Sequence, residues 1–354
     1  MREIVLTGSV PLRPATKVFE ALARHLGTAA PFYPDGEQVG WVGGTLGLLK
    51  KNPNLEELYS LKLSDEIEIS NTFYRLKGGT KAKELKLGPF LLADNAIASY
   101  AAFKALKEKG VIPPGTRFEV TIPAAGMLAG HIHMLPQESY PLAAAALGGE
   151  IARILEAIPA SEMLIQFDVP LETSHVEYER RPWAFNVPYF DSIRSRFEDA
   201  VAALAMLASQ VTSDIPIGIH TCSAWHLNPS ADQDNWTLID ISNQYLRAIR
   251  RPVRYIHIPI HPSHNKVAHY TPFRELELPP ETSLSLGIIN MVDKLEGAKR
   301  RMDAAEKAGL YDFGVAFWCG LGFGRKICLH PYAEQPTEQT IAEVLDLHKQ
   351  VARL

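Results

Sequence analysis

Short apolar runs alternate with amphipathic stretches along the chain. Eight runs stand out, at residues 4–6, 30–33, 117–122, 163–167, 215–219, 254–258, 284–290 and 313–318, most of them bounded by Gly, Pro or polar residues. Runs of this length, with little alternation, suit strands of a parallel sheet covered on both faces. Between them, 16–26, 94–109, 141–157, 190–211 and 294–308 read as helices, and 340–352 closes the chain. In 190–211, Phe197, Val201, Leu204 and Leu207 recur at three- and four-residue steps, one face of a helix, and Asp191 and Ser192 stand where an N-cap is expected. Strands and helices alternating eight times predict a (β/α)8 barrel, a TIM barrel, with 1–354 as one domain. An open doubly wound sheet would alternate too, but no Gly-x-Gly-x-x-Gly leads from a strand into a helix. Segment 42–90 exceeds a plain strand-to-helix connection. Its stretches 61–70 and 72–76, followed by Gly78-Gly79, predict a hairpin inserted between the second and third strands and covering the barrel mouth.

Chemistry-bearing residues collect just after these runs. The first is followed by Gly8-Ser9-Val10-Pro11 and the second by Pro34-Asp35-Gly36-Glu37. The fourth leads into Asp168-Val169-Pro170-Leu171-Glu172, the fifth into His220-Thr221-Cys222, the sixth into His261, the seventh into Asn290 and the eighth into Cys319. Barrel strands all point one way, so these residues are expected together at the C-terminal rim, where barrel enzymes work. His220 and Cys222 are spaced to face one side of an extended strand end, and Cys319 joins them on a ring of strands. Two thiolates and an imidazole suit Zn²⁺ and leave a fourth position for water, substrate or another side chain. Of His257, His261, His264 and His269, His261 is best placed to supply it. Taken singly, each member of the trio reads as a buried core residue; their coincidence at strand ends is what points to a metal. Cys328, in a loop-like stretch, reads as structural.

Asp168 and Glu172 are candidates to bind a substrate ammonium, position a ligand or move protons, with a structural ion pair as the plain alternative. Glu37 is either a site carboxylate or a solvated turn acid. In Gly130-His131-Ile132-His133-Met134, His131 is the candidate catalytic imidazole, a loop histidine pair being the alternative. Trp225, with Arg180 or Arg181, Trp183 and Tyr189, stands in connections near the rim, suited to lining a pocket or to packing under a cover.

Composition narrows the function class. Of 354 residues, 46% are hydrophobic and 21% charged, enough for a large core, and 36 Lys and Arg against 40 Asp and Glu leave a net charge of −4. That balance predicts no nucleic-acid partner and no anionic membrane surface. No apolar run is long enough to span a bilayer, the first residues lack a signal-peptide pattern, and three cysteines make no disulfide framework. A cytoplasmic location is expected.

The succession Gly8-Ser9-Val10-Pro11, Asp35-Gly36-Glu37, Ile165-Gln166-Phe167-Asp168, His220-Thr221-Cys222 and Cys319-Gly320 resembles the C-terminal catalytic barrel of cobalamin-independent methionine synthase. It resembles more closely the stand-alone, single-barrel proteins of that superfamily, which also holds uroporphyrinogen decarboxylases and zinc-dependent coenzyme M alkyltransferases. The resemblance spans most of the chain in order. It implies a zinc ion on His220, Cys222 and Cys319 that activates a thiol substrate, an amino-group contact at Asp168, and substrate contacts at Ser9 and Glu37. The chain departs from the synthases at three places. Their glutamate ligand is met by Ile258-Pro259-Ile260-His261-Pro262, their Asp-Ile-His acid by Asn290-Met291-Val292, and their folate-stacking tryptophan has no counterpart in Pro123-Ala124-Ala125-Gly126-Met127-Leu128. The expectation is therefore a zinc-dependent methyl or alkyl transferase that moves an alkyl group from a small-molecule donor to a small-molecule thiol acceptor, releasing the remainder of the donor, without folate. The alternatives are a zinc-dependent lyase or hydrolase, a decarboxylase on the same barrel, and a non-enzymatic metal carrier.

Overall fold

The structure, a computed structural model, describes residues 1–8, 10–34, 41–62, 70–182, 192–193, 195–223, 234–321 and 337–354. Seven strands form one all-parallel sheet: β1 (Phe32–Pro34), β4 (Arg117–Pro123), β5 (Met163–Val169), β6 (Ile217–Thr221), β7 (Val253–Pro259), β8 (Ser283–Ile289) and β9 (Gly314–Phe317), adjacent in that order. Between β1 and β4 in sequence, β2 (Leu55–Lys62) and β3 (Ser70–Leu76) pair as an antiparallel hairpin. The expected strand 4–6 makes a single isolated bridge, Ile4 to Val315, so the sheet has seven strands among the described residues rather than eight. Its backbone is tied on two sides: Val5 N–H donates to Val315 O (3.0 Å), Val315 N–H to Glu3 O (2.9 Å), and Ile4 N–H to Ala29 O (3.0 Å).

Adjacent strand residues serve opposite faces. Ile165, Ile256 and Val315 belong to the large core between sheet and helices. Their neighbours Leu164, Tyr255 and Ala316 form a separate buried cluster with Val5 and Phe32. That small cluster draws on β1, β5, β7 and β9, none of which neighbours another in the sheet, so the sheet curls around it. The arrangement is compatible with a TIM-barrel-like fold.

Helices cover the outer face. Ala15–His25, Leu92–Glu108, Pro136–Ala157, Lys294–Lys307 and Glu338–Val351 match the amphipathic stretches. The helix expected over 190–211 is Phe197–Gln210. Its N-cap is Arg196, with no side-chain cap, and Asp191 lies outside the described residues. Arg196 instead clasps Asp199 in the first turn (2.6 and 2.7 Å), where acidic side chains suit the free N–H groups. Helices Pro170–Arg180 and Asn235–Ala248 were not among the expected ones, although Leu238, Ile241, Tyr245 and Leu246 give the second an apolar face. The second is capped by Asp234, which accepts from Trp236 N–H (3.1 Å) and Thr237 Oγ1 (2.7 Å). No helix among the described residues is long and apolar enough to cross a membrane.

Candidate metal centre

His220 is the penultimate residue of β6, Cys222 lies just beyond that strand, and Cys319 stands two residues past β9. All three side chains are buried, and their ligand atoms lie within 4.8 Å of one another. Cys222 Sγ is 4.0 Å from Cys319 Sγ, which is 3.6 Å from His220 Nε2. Zn–S bonds of about 2.3 Å and Zn–N bonds of about 2.0 Å at tetrahedral angles place two sulfurs about 3.8 Å apart and sulfur and nitrogen about 3.5 Å apart. The donor types suit a zinc ion, and the two separations to Cys319 match it, while His220 and Cys222 lie within 4.8 Å of each other.

Thr221, between the two β6 ligands, faces the other way, and its hydroxyl donates to His257 O (2.8 Å), binding β6 to β7. The hydrogen bond with Cys319, burial, and the charges of Cys319, Asp168 and Glu177 push the Cys222 thiol well above its usual range. Burial pulls His220 down, but the Cys319 contact and the charges of Cys319 and Asp168 together leave it above its usual value. Negative charge is crowded into this site, and a divalent cation relieves that crowding.

Asp168, His220 and His257 are in register on β5, β6 and β7. Beneath them a hydrogen-bonded chain runs through the sheet interior. Tyr255 Oη donates to Gln166 Oε1 (2.6 Å) and lies 3.3 Å from Glu119 Oε2, while Gln166 Nε2 donates to Asp168 Oδ1 (2.7 Å). The Tyr255 ring crosses Gly218, where a Cβ would stand 2.4 Å from Tyr255 Cζ. On the other flank Ser223, next to Cys222, donates to buried Glu177 (2.8 Å). Helix Pro170–Arg180 thus turns a polar face, Glu172, Thr173, Ser174, His175 and Glu177, into the protein.

The remaining candidates fall in different places. Glu172 Oε1 accepts from Gly126 N–H (2.7 Å), its Oε2 is buried with no hydrogen-bond partner among the described residues, and burial raises its pKa to about 7. His131 is wholly buried: its ring stacks on Phe73 of β3 at 5.0 Å, its Nδ1 donates to Met127 O (2.9 Å), and burial lowers its pKa to about 4. His261 Nδ1 pairs with Ser263 Oγ (2.7 Å), and His261 is not a member of the convergent ligand group. Contact with His220 comes from His257, Nδ1 to Nδ1 at 2.7 Å. Asn290 Oδ1 caps the turn after β8, accepting from Val292 N–H (3.0 Å), and its Nδ2 is buried with no hydrogen-bond partner among the described residues. Ser9, Glu37, Trp225 and Cys328 lie outside the described residues. Beside the hairpin, a cavity of about 870 Å³ is lined by Leu76, His133, Glu138, His175, Tyr178 and Glu179 among others.

Gln166, Tyr255, Glu177 and His257 are the site residues that sequence reasoning passed over or ranked low. For Gln166, Tyr255 and His257 the signal was polarity inside otherwise apolar strands; for Glu177 the sequence offered none.

No protein-family model matches the chain, and no curated protein does. Among solved structures, a chain from Listeria monocytogenes assigned as a vitamin-B12-independent methionine synthase superposes with a TM-score of 0.53 at 12% sequence identity, over 99% of this chain and 98% of that one. What the two chains share is the fold, a related TIM-barrel-like arrangement spanning nearly the full length of both.

Proposed function

We propose that the protein is a zinc-dependent methyl or alkyl transferase acting on a thiol acceptor. The observation carrying this reading is the approach of two thiols and an imidazole from separate strand ends to 4.0 and 3.6 Å, the spacings of a tetrahedral zinc site. When bound there, zinc supplies the Lewis acidity that keeps a thiol deprotonated and nucleophilic at neutral pH. Three protein donors leave one position to the acceptor. Asp168, held through Gln166, orients the acceptor's cationic group beside the ligands. Asn290 offers its buried amide to the substrate, and Ser9, Glu37, Glu172 and Trp225 complete the substrate's surroundings.

In this reading the segment around Ile4 is the eighth member of a closed barrel, supported by its bonds to Val315 and Ala29. Segment 42–90 is a cover over the mouth. Its strand β3 is bonded to the segment following β4, Tyr74 N–H to His131 O (2.9 Å) and His133 N–H to Tyr74 O (2.8 Å). The adjoining cavity receives the alkyl donor.

The test is Cys319→Ser, assayed for bound zinc by elemental analysis and for thiol binding in the cobalt-substituted form, titrated with cysteamine and 2-mercaptoethanol. The variant is expected to lose zinc and the sulfur-to-cobalt charge-transfer band together. Retention of both refutes the proposal, and product labelled from H₂¹⁸O would assign hydrolysis instead.

A further inference from the structure

We propose that His257 is the positioning residue that turns the Nε2 lone pair of His220 toward the metal, and that Gly287 provides the gap through which it does so. The inference rests on the reading that His220, Cys222 and Cys319 hold a metal. His257 Nε2 lies 3.0 Å from the carbonyl oxygen of Phe317. A carbonyl only accepts, so that nitrogen carries a proton. A neutral imidazole has one N–H, which makes His257 Nδ1 an acceptor. Its partner at 2.7 Å, His220 Nδ1, is therefore the donor. As a metal ligand His220 is neutral, so a proton on Nδ1 leaves its Nε2 lone pair free on the side facing Cys319 Sγ at 3.6 Å. His257 is fully buried and sits between a backbone carbonyl and the His220 ring, with no carboxylate among these partners, a setting that disfavours a second proton.

The path of the imidazole is built into the sheet. β8 lies between β7, which carries His257, and β9, which ends at Phe317. At Gly287 on β8 a Cβ would stand 2.8 Å from His257 Nε2, 2.9 Å from Trp318 Cα and 3.0 Å from Pro259 Cα. The missing side chain lets the ring reach across β8. Phe317 precedes Cys319 by two residues, so one strand end both supplies a ligand and anchors the orientation of another. A ligating histidine ordinarily gives its second N–H to a carboxylate, carbonyl or water. Here a second histidine relays that role to a carbonyl.

The experiment measures zinc affinity by competition with a chromophoric chelator for wild type, His257→Phe, His257→Gln, Gly287→Ala and Cys319→Ser. His257→Phe keeps the ring shape without the hydrogen bonds and is expected to weaken zinc binding about 10- to 100-fold, with Gly287→Ala moving in the same direction. His257→Gln retains an acceptor and a donor and is expected to recover part of the loss. Nitrogen-15 NMR of the zinc-loaded wild type, which avoids variants altogether, is expected to show protons on His220 Nδ1 and His257 Nε2. Wild-type affinity in His257→Phe, a loss there as complete as in Cys319→Ser, or a proton on His257 Nδ1 overturns the proposal. Unchanged affinity in Cys319→Ser overturns the metal reading itself, a separate outcome.

Discussion

Tyr255 shows how much one side chain can carry. Its ring packs in the small interior cluster, and its hydroxyl fixes Gln166, which in turn fixes Asp168. Gly218→Ala would drive a methyl group into that ring and pull the hydroxyl from Gln166. We expect a loss of about 1–3 kcal/mol, read from the urea midpoint; an unchanged midpoint would show that the ring has room to move. Two buried groups set opposing pH dependences. His131, lowered to about 4, contributes stability that is complete above pH 6.5 and disappears as pH falls toward 4, an effect of about 3 kcal/mol. Glu172, raised to about 7, contributes stability that is complete below pH 4.5 and disappears as pH rises through 7. The two windows overlap and largely cancel in the wild type, so the urea midpoint across pH 4–8 should fall with rising pH in His131→Phe, where Glu172 alone remains, and rise with pH in Glu172→Gln, where His131 alone remains. Identical profiles for both variants and the wild type would contradict this assignment.

Among the elements, the hairpin and helix Pro170–Arg180 mark where the sequence was hard to read. Of stretch 61–70, residues 63–69 lie outside the described residues; β2 runs from Leu55 to Lys62, earlier than the sequence pattern pointed, and β3 starts at Ser70. The helix escaped notice because Glu172, Thr173, Ser174, His175 and Glu177 are buried along with Leu171 and Val176, so polar residues hide the buried side of the helix from an apolar-period reading. His131, the candidate catalytic imidazole, is stacked against the hairpin's Phe73. That contact makes a prediction: Phe73→Ala uncovers the imidazole, and its pKa, followed by proton NMR, should climb from about 4 toward 6.5. A value that stays near 4 would mean other groups do the burying.

Across the whole molecule, the repeated alternation of strand and helix was legible because buried parallel strands must be apolar on both faces. Seven of the eight expected runs are sheet strands, and the eighth, at Ile4, makes a lone bridge. His220, Cys222 and Cys319 were legible because each stands where a strand ends. His257 was less so, because a single polar residue inside Tyr255-Ile256-His257-Ile258 looks the same in sequence whether it fills space or steers a ligand. The ligands sit at the ends of β6 and β9, with β7 and β8 between them. An ion bridging those ends clamps an arc of four strands, whose closing contacts join segments remote along the chain and are expected to form late. Such a clamp acts as a latch on escape rather than an aid to assembly. Zinc should steepen the barrier to denaturation, slowing the unfolding limb of a chevron plot, while refolding proceeds at the same speed with or without a chelator.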